Sequence, residues 1–362
     1  MPAVARLAPS EKMQTASAEP RWLRVLRRIW LAFLFVVVLL CSAWATLALY
    51  FDFPFASLRV PAAIVYAIAL IAAFVLVHEL RWKVAVCAAG FAVVLVWWLS
   101  IKPSNDRAWQ ADVAQMPWAE FHDDAVTLHN FRFCDYRTES DYTCAWLTKE
   151  VRLSDVRGID LSLTYWGSPW IAHTILSFQV GENDYVAMSI ETRKVVGQGY
   201  SAIQGFFRRY TLVYVIADER DLIRLRTNFR KNEDTYLYHT TATPEYARAL
   251  FVEYLKQANE LREQPKWYNA LTENCTTIIF RQMFALRLSR ERSLDWRMLL
   301  NGRMDEMEYE RGNLAGGLPF DQLKKSAYIN PAAHAAGDAA DFSLRIREGR
   351  PGFEFLGGGS RR

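Results

Sequence analysis

Three uncharged apolar runs near the amino end of this 362-residue chain constrain its fold more than any other feature. They cover Trp30 to Phe51, Val60 to Val77, and Val84 to Leu99, the last extendable to Ile101. A helix that crosses a bilayer needs roughly 17–25 apolar residues. Three such runs in succession, joined by short charged loops, predict three membrane-spanning helices rather than buried helices of a soluble core.

Positively charged residues orient these spans. Residues 1–28 hold six Lys and Arg against two Glu, a net charge of +4 that equals the formal charge of the whole chain. Arg81 and Lys83 lie between the second and third runs. Because Lys and Arg stay on the cytoplasmic side, we expect 1–28 to be a basic cytoplasmic tail and 29–101 a three-span region of a bacterial inner membrane. The remainder would then be periplasmic.

Charge also excludes one class of partner. Outside residues 1–28 the chain is formally neutral, whereas binding to nucleic acid requires a basic face. The sequence therefore predicts no nucleic-acid partner, and the membrane is the partner that it does predict.

The five cysteines agree with an oxidising compartment. Cys41 and Cys87 lie inside the apolar runs. Cys134 and Cys144 flank a polar turn in FRFCDYRTESDYTCAW, which is typical of a hairpin closed by a disulfide in a secreted domain. Cys275 is then the unpaired cysteine of the exterior part.

The exterior part, residues 102–355, shows an α+β pattern. Between about 125 and 216, β-branched and aromatic runs alternate with turn signals such as GEND, which predicts an antiparallel sheet. After Glu219 the spacing becomes helical, and Thr243-Pro244-Glu245 opens a long helix. Helices should therefore pack on the sheet. Residues 356–362 are expected to be a disordered tail.

Cys275 stands at the start of a predicted helix in TENCTTIIFRQMF. Partial positive charge at a helix N-terminus favours the thiolate over the thiol, and Asn274 can serve as a helix cap or as an oxyanion donor. The same pattern also fits an ordinary core cysteine.

His173 is the best candidate for a base, because it lies in the strongly strand-like run SPWIAHTILSF. Folding the chain back through GEND places Glu191 almost opposite His173, with Ser189 one step further on the same face. Either residue can orient the imidazole, and Glu191 is preferred. Tyr165, Trp166 and Trp170 are candidates for an acyl groove or for plain packing, and Arg208 for a contact with phosphate head groups.

Between Ser104 and Phe355 the chain resembles the bacterial Lnb N-terminal periplasmic domain family. The stretches that carry the resemblance are WIAHTILSF, AMSIETR, FFRRYTLVYVIADERDLIRLR, ENCTT, YERGNLAGGLPFDQLKKSAYIN and DFSLRIREG. The family is named for an acyltransferase that N-acylates lipoproteins, and it is similar to permuted papain-like thiol enzymes such as those of the lecithin:retinol acyltransferase type. The resemblance implies that Cys275 is the nucleophile and His173 its base.

Three hypotheses for the function follow. The first is a membrane-anchored cysteine acyltransferase or hydrolase that acts on lipid or lipoprotein acyl groups through a thioacyl-enzyme. The second is a cell-wall peptidase or amidase with the same dyad, which calls for a polar, open groove. The third is a non-catalytic membrane scaffold with Cys275 in the core. The sequence has no CxxC, HExxH, P-loop or GxGxxG pattern, and so predicts neither a metal nor a cofactor.

Overall fold

The computed structural model describes residues 20–285, 295–298 and 300–354. For residue 275 and residues 283–285 it describes the backbone alone. The predicted disordered tail lies outside these residues, as does most of the predicted cytoplasmic tail. The chain divides into two compact units, Met1–Ser100 and Ile101–Arg362.

The described part of the first unit, residues 20–100, contains three long helices, α1 (Arg21–Asp52), α2 (Arg59–Leu76) and α3 (Leu80–Ser100). All three are long and apolar enough to cross a membrane. Helix α1 begins nine residues before the predicted span, because the basic stretch that precedes Trp30 is also helical. The prediction of three apolar helices is confirmed.

Within residues 101–354, as far as the structure describes them, the second unit is built on one eight-stranded sheet. Its strands are β1 (Trp118–His122), β2 (Ala125–Tyr136), β3 (Tyr142–Arg152), β4 (Gly158–Trp166), β5 (Ala172–Gln179), β6 (Tyr185–Arg193), β7 (Thr211–Ala217) and β8 (Glu233–His239). The order across the sheet is β1-β2-β7-β6-β5-β4-β8, with β3 on the other edge of β2. Among the strands that the structure describes, all pairings are antiparallel except that of β2 with β7, which meet in parallel at Arg132 and Ala217. The predicted antiparallel sheet is therefore a mixed sheet with one parallel pair.

Seven helices accompany the sheet in the described part of this unit: α4 (Glu219–Arg224), α5 (Pro244–Glu263), α6 (Cys275–Ala285), α7 (Met304–Glu310), α8 (Phe320–Ala327), α9 (Asn330–Ala336) and α10 (Phe342–Arg345). Helix α5 begins as predicted, with the Thr243 side chain accepting a hydrogen bond from the Tyr246 N–H. Its buried face packs on the sheet, where the Phe178 ring lies 5.2 Å from that of Phe251. The predicted α+β class is confirmed.

Two features differ from the sequence pattern. Strand β8 lies in a region where helical spacing dominates, and it forms because it pairs with β4 along seven residues, from Asp160↔His239 to Trp166↔Glu233. A π-helical turn at Leu225–Phe229 ends α4 and leads the chain into that strand.

Strands β2 and β3 form the predicted hairpin. Cys134 and Cys144 stand directly opposite each other and are joined by a disulfide. Cys134 is fully buried. The predicted disulfide is confirmed.

Candidate functional site

A chain of hydrogen bonds runs from His173 on β5 to Glu191 on β6. The Nε2 atom of His173 lies 2.7 Å from the Ser189 hydroxyl oxygen, and that hydroxyl lies 2.9 Å from Oε1 of Glu191. The same carboxylate oxygen is 3.4 Å from Nε2. Ser189 therefore bridges the two residues, and both candidates for orienting the imidazole contact it.

The hydrogen-bond chain fixes the tautomer of His173. A carboxylate has no proton to donate, so the Ser189 hydroxyl donates its only proton to Glu191. Towards His173 the Ser189 oxygen must then accept, and Nε2 carries the proton. In the neutral ring the lone pair is consequently on Nδ1, which is the nitrogen able to accept a proton from a nucleophile.

Glu191 is kept ionised by its neighbours. Its burial alone would raise its pKa, but the hydrogen bond from His173, the charge of that ring when it is protonated, and the charges of Arg226 and Arg132 hold the pKa well below the ordinary value. Arg226 contributes from the π-helical turn, with Nη2 3.4 Å from Glu191 and Nη1 3.4 Å from Glu233. Such turns often occur at functional sites, because they redirect one side chain.

We call the hydrogen-bonded residues His173, Ser189 and Glu191 the relay. The relay lies where the neighbouring strands β5 and β6 stop pairing. Pairing between β5 and β6 ends at Ile175↔Ser189, whereas β4 continues beside β5 to Tyr165↔Ala172. The ends of β5 and β6 are therefore open to another element, at the position of His173 and Glu191.

Asn301 connects this opening to helix α6. Its Oδ1 accepts from the Ala172 N–H at 3.0 Å, and its Nδ2 donates to the Ala172 carbonyl at 2.6 Å. The same Nδ2 lies 2.6 Å from the Thr276 hydroxyl. One buried side chain thus holds the residue before His173 and the residue after Cys275. The two predicted catalytic positions are thereby brought to one place in the fold.

Cys275 is the first residue of α6, as the sequence predicts; its side chain lies outside the described part of the structure. Asn274 caps the helix, since its Oδ1 accepts from the Thr277 N–H at 2.9 Å and its own N–H donates to the Thr277 hydroxyl at 3.0 Å. The Asn274 Nδ2 donates to the Ala270 carbonyl at 2.8 Å. Both ends of this amide are used locally, which favours the cap over the oxyanion donor.

The predicted substrate-binding residues occupy different environments. Tyr165 is partly buried and donates to the Gly302 carbonyl at 2.9 Å, so it braces the segment that carries Asn301. Trp166 and Trp170 are 37% and 49% exposed. Arg208 donates to the carbonyl of Ile101, and its guanidinium lies over the ring of Trp267.

Several apolar side chains near Asn301 face solvent. Trp170, Ile171 and Trp296 are each about half exposed and Leu300 is 42% exposed; the rings of Trp170 and Trp296 lie 6.4 Å apart. Gly302 packs so closely on the 169–171 backbone that an added Cβ would lie 2.3 Å from the Pro169 carbonyl oxygen. This contact holds the aromatic pair beside the start of β5.

Asn301 and Arg226 are not predictable from the sequence pattern. Asn301 stands 128 positions after His173 and follows no recognisable pattern, and Arg226 looks like a solvated helix residue in DLIRLR. Among the residues that the structure describes, no group of three or more His, Cys, Asp or Glu could hold a metal ion.

Fold and site together define a class: an α+β domain with an oriented histidine, preceded by three apolar helices of membrane-spanning length. The family model described as the Lnb N-terminal periplasmic domain matches residues 142–302. The predicted family resemblance is confirmed over this segment, which contains β5, β6, Cys275 and Asn301. Together with the apolar helices, the match fits a membrane protein with a periplasmic domain.

The match covers a little under half of the 362-residue chain, and residues 303–355 lie beyond it. Comparison with curated proteins and with solved structures gave no match. The permuted papain-like topology therefore stays a prediction.

Proposed function

We propose that this chain is a periplasmic thiol acyltransferase or hydrolase anchored in the inner membrane, with its amino terminus in the cytoplasm. Cys275 is the nucleophile, His173 the general base and Glu191 the group that orients it through Ser189. The observation that carries the proposal is the Asn301 side chain, which is hydrogen-bonded both to the neighbour of Cys275 and to the neighbour of His173.

The chemistry follows from the tautomer. Nδ1 of His173 takes the thiol proton, and the sulfur attacks an ester or amide carbonyl. The tetrahedral intermediate collapses to a thioacyl-enzyme, and the leaving alcohol or amine takes the proton back from Nδ1. An incoming amine or water then gives its proton to Nδ1 and attacks the thioester, which releases the thiolate. Transfer to an amine and hydrolysis differ only in this second nucleophile.

Two features of Cys275 suit it to this role. The first turn of α6 offers backbone N–H groups and the positive end of the helix dipole, which favour the thiolate and a developing oxyanion. Asn274 closes the turn as its cap, so it acts by holding the helix start in place.

The surroundings favour a lipid-derived acyl group over a polar cell-wall substrate. Trp166, Trp170, Ile171 and Trp296 present exposed apolar surface close to the start of β5, and such surface suits an acyl chain better than a glycan or a charged peptide. A lipid or lipoprotein ester is therefore the substrate class that we propose.

Labelling of the thiol tests the proposal. Membranes that contain the full chain are treated with an electrophilic long-chain lipid ester, and the modified residue is located by mass spectrometry. We expect labelling of Cys275 that is lost in His173→Ala and kept in His122→Ala, a matched change of an exposed histidine. Absence of label on Cys275 in the folded wild type would overturn the thiol mechanism and favour a scaffold.

A further inference from the structure

The carbonyl of Ile101 marks where the second unit begins, next to the third apolar helix. Helix α3 ends at Ser100, so Ile101 lies within one residue length, about 3.5 Å, of its end. At about 1.5 Å per residue the 21 residues of α3 span about 30 Å, the thickness of the hydrocarbon core. The backbone of Ile101 therefore belongs in the headgroup layer of any bilayer that α3 crosses.

Two side chains of the second unit bind this carbonyl. The Trp267 indole N–H donates to it at 3.2 Å, and the Arg208 guanidinium donates to it as well. Tryptophan is enriched at membrane interfaces, and a long arginine side chain keeps its charge at the same level. The chain segments around residues 208 and 267 are therefore tied to the carbonyl that directly follows α3.

Exposed apolar residues flank both anchors. Ile203 is 59% exposed, Phe206 39% and Leu271 60%. The two segments that carry them are joined, because the Ala270 N–H donates to the Gly205 carbonyl at 2.9 Å. Ile203, Phe206 and Leu271 form what we call the apolar patch. The patch lies beside Arg208 and Trp267, and its residue Leu271 stands four residues before Cys275.

We propose that the apolar patch docks on the outer leaflet of the same membrane that α3 crosses, with Arg208 and Trp267 in the headgroup layer. An interfacial surface of this kind combines inserted aliphatic and aromatic side chains with Trp and Arg at its rim. The docked patch turns the start of α6 towards the bilayer, so acyl chains reach the thiol without leaving the lipid. Docking of the patch does not depend on the thiol chemistry, so the test below uses a variant that lacks Cys275.

The test places a fluorophore on the patch. In the full chain carrying Cys41→Ala, Cys87→Ala and Cys275→Ala, with the Cys134–Cys144 disulfide kept, a single cysteine is introduced by Ile203→Cys or Leu271→Cys. It is labelled with a nitrobenzoxadiazole dye, and the protein is reconstituted in phosphatidylcholine and phosphatidylglycerol vesicles. Part of the lipid carries a nitroxide near the headgroup, which quenches only dyes close to the leaflet.

Leu147→Cys is the matched control. Leu147 is an exposed apolar residue on β3. It pairs with Phe131 of β2, whose neighbour Arg132 pairs with Ala217 at the carboxyl end of β7. The apolar patch lies instead near the opposite end of β7, which begins at Thr211. We expect at least twofold stronger quenching and a blue-shifted emission at Ile203 and Leu271 than at Leu147. Equal quenching at all three positions would overturn the docking proposal, whatever the result of thiol labelling.

Discussion

At the scale of single residues, the site depends on a serine between a histidine and a glutamate. Ser189 is almost fully buried, at 1% exposure, and its one proton goes to Glu191. The carboxylate therefore sets the direction of the hydrogen bond from His173 without being its nearest partner. His173 itself, and then Arg226 and Arg132, keep that carboxylate charged, so the hydrogen-bond chain from His173 to Glu191 also depends on the two arginines.

Replacing Glu191 with Gln should slow acylation of Cys275. The neutral amide can donate to Ser189, which removes the preference for a proton on Nε2 of His173. Hydrogen bonds to charged groups contribute about 1.5–3 kcal/mol, so we expect a rate about tenfold to a hundredfold lower. The measurement is the release of p-nitrophenolate from a long-chain p-nitrophenyl ester. Glu120→Gln, at an exposed carboxylate of β1, is the control; a full rate in Glu191→Gln would remove Glu191 from the mechanism.

Glu191 should also make stability depend on pH in acid. Its pKa is depressed in the folded state, so its stabilising effect is fully present above the unfolded-state pKa of about 4.3 and is lost as the pH falls through the folded-state value. The difference in unfolding free energy between wild type and Glu191→Gln should be constant from pH 7 to about 5 and shrink below that. Urea unfolding at a series of pH values measures it. A difference that grows in acid would contradict the assigned charge state.

At the scale of secondary-structure elements, the site is assembled from three segments that are distant in sequence. Strand β5 supplies His173, helix α6 supplies Cys275, and the segment before α7 supplies Asn301. Because β6 does not pair with β5 at Ala172, the N–H and the carbonyl of Ala172 form hydrogen bonds with the Asn301 side chain instead. Strand β5 and helix α6 are predictable from periodicity, whereas the segment that carries Asn301 is not, and its side chain makes the hydrogen bonds that join the other two.

Asn301→Ala should loosen this junction. The change leaves the buried N–H and carbonyl of Ala172 without their partner, and each unsatisfied group costs about 1–3 kcal/mol. We expect the free energy of unfolding to fall by about 2–6 kcal/mol. At temperatures well below the unfolding transition, we also expect Cys275 to be acylated more slowly than in the wild type. Asn105→Ala is the control, because Asn105 also bonds backbone carbonyls, at Leu261 and Arg262, but is not at the relay. Equal acylation rates in the two variants would reduce Asn301 to a stabilising role.

At the scale of the whole molecule, the carboxyl-terminal helices are locked to the sheet by a buried ion cluster. Arg347 is fully buried and binds Asp160 of β4 at 2.8 Å and Glu219 of α4 at 2.6 Å. Burial alone would lower the pKa of Arg347, but the charges of Glu219 and Asp160 outweigh it and raise the pKa. His239 of β8 bonds the same Asp160 at 2.6 Å. Residues beyond the matched family segment are thus part of the same folded unit.

Arg347→Met should destabilise the second unit strongly. It leaves Asp160 and Glu219 buried without their shared cation, and removing one partner of a buried pair costs about 3–5 kcal/mol. Arg345→Met, two residues earlier on the exposed pair with Asp341, should leave the unfolding curve unchanged. Chemical denaturation followed by circular dichroism compares the two. A small loss in Arg347→Met would mean that water replaces the cation.

The sequence predicts the secondary-structure elements better than the contacts that join them. Apolar length alone gave the three helices of the first unit, and the pairing of Cys134 with Cys144 followed from their spacing. Strand β8 could not be found, because its stability comes from pairing with β4 rather than from its own residues. The same limit hides Asn301 and Arg226: their partners lie 129 and 35 residues away in sequence. Local pattern predicts elements, whereas long-range hydrogen bonds decide where the elements meet.

The short sequence separation of the disulfide has a consequence for how the protein folds during export. Cys134 and Cys144 are separated by only 10 residues and precede Cys275 in the chain. In a domain exported from its amino end, they leave the membrane together and can oxidise before the third thiol emerges. If Cys275 is the nucleophile that we propose, this order protects its thiol from forming a disulfide with Cys134 or Cys144.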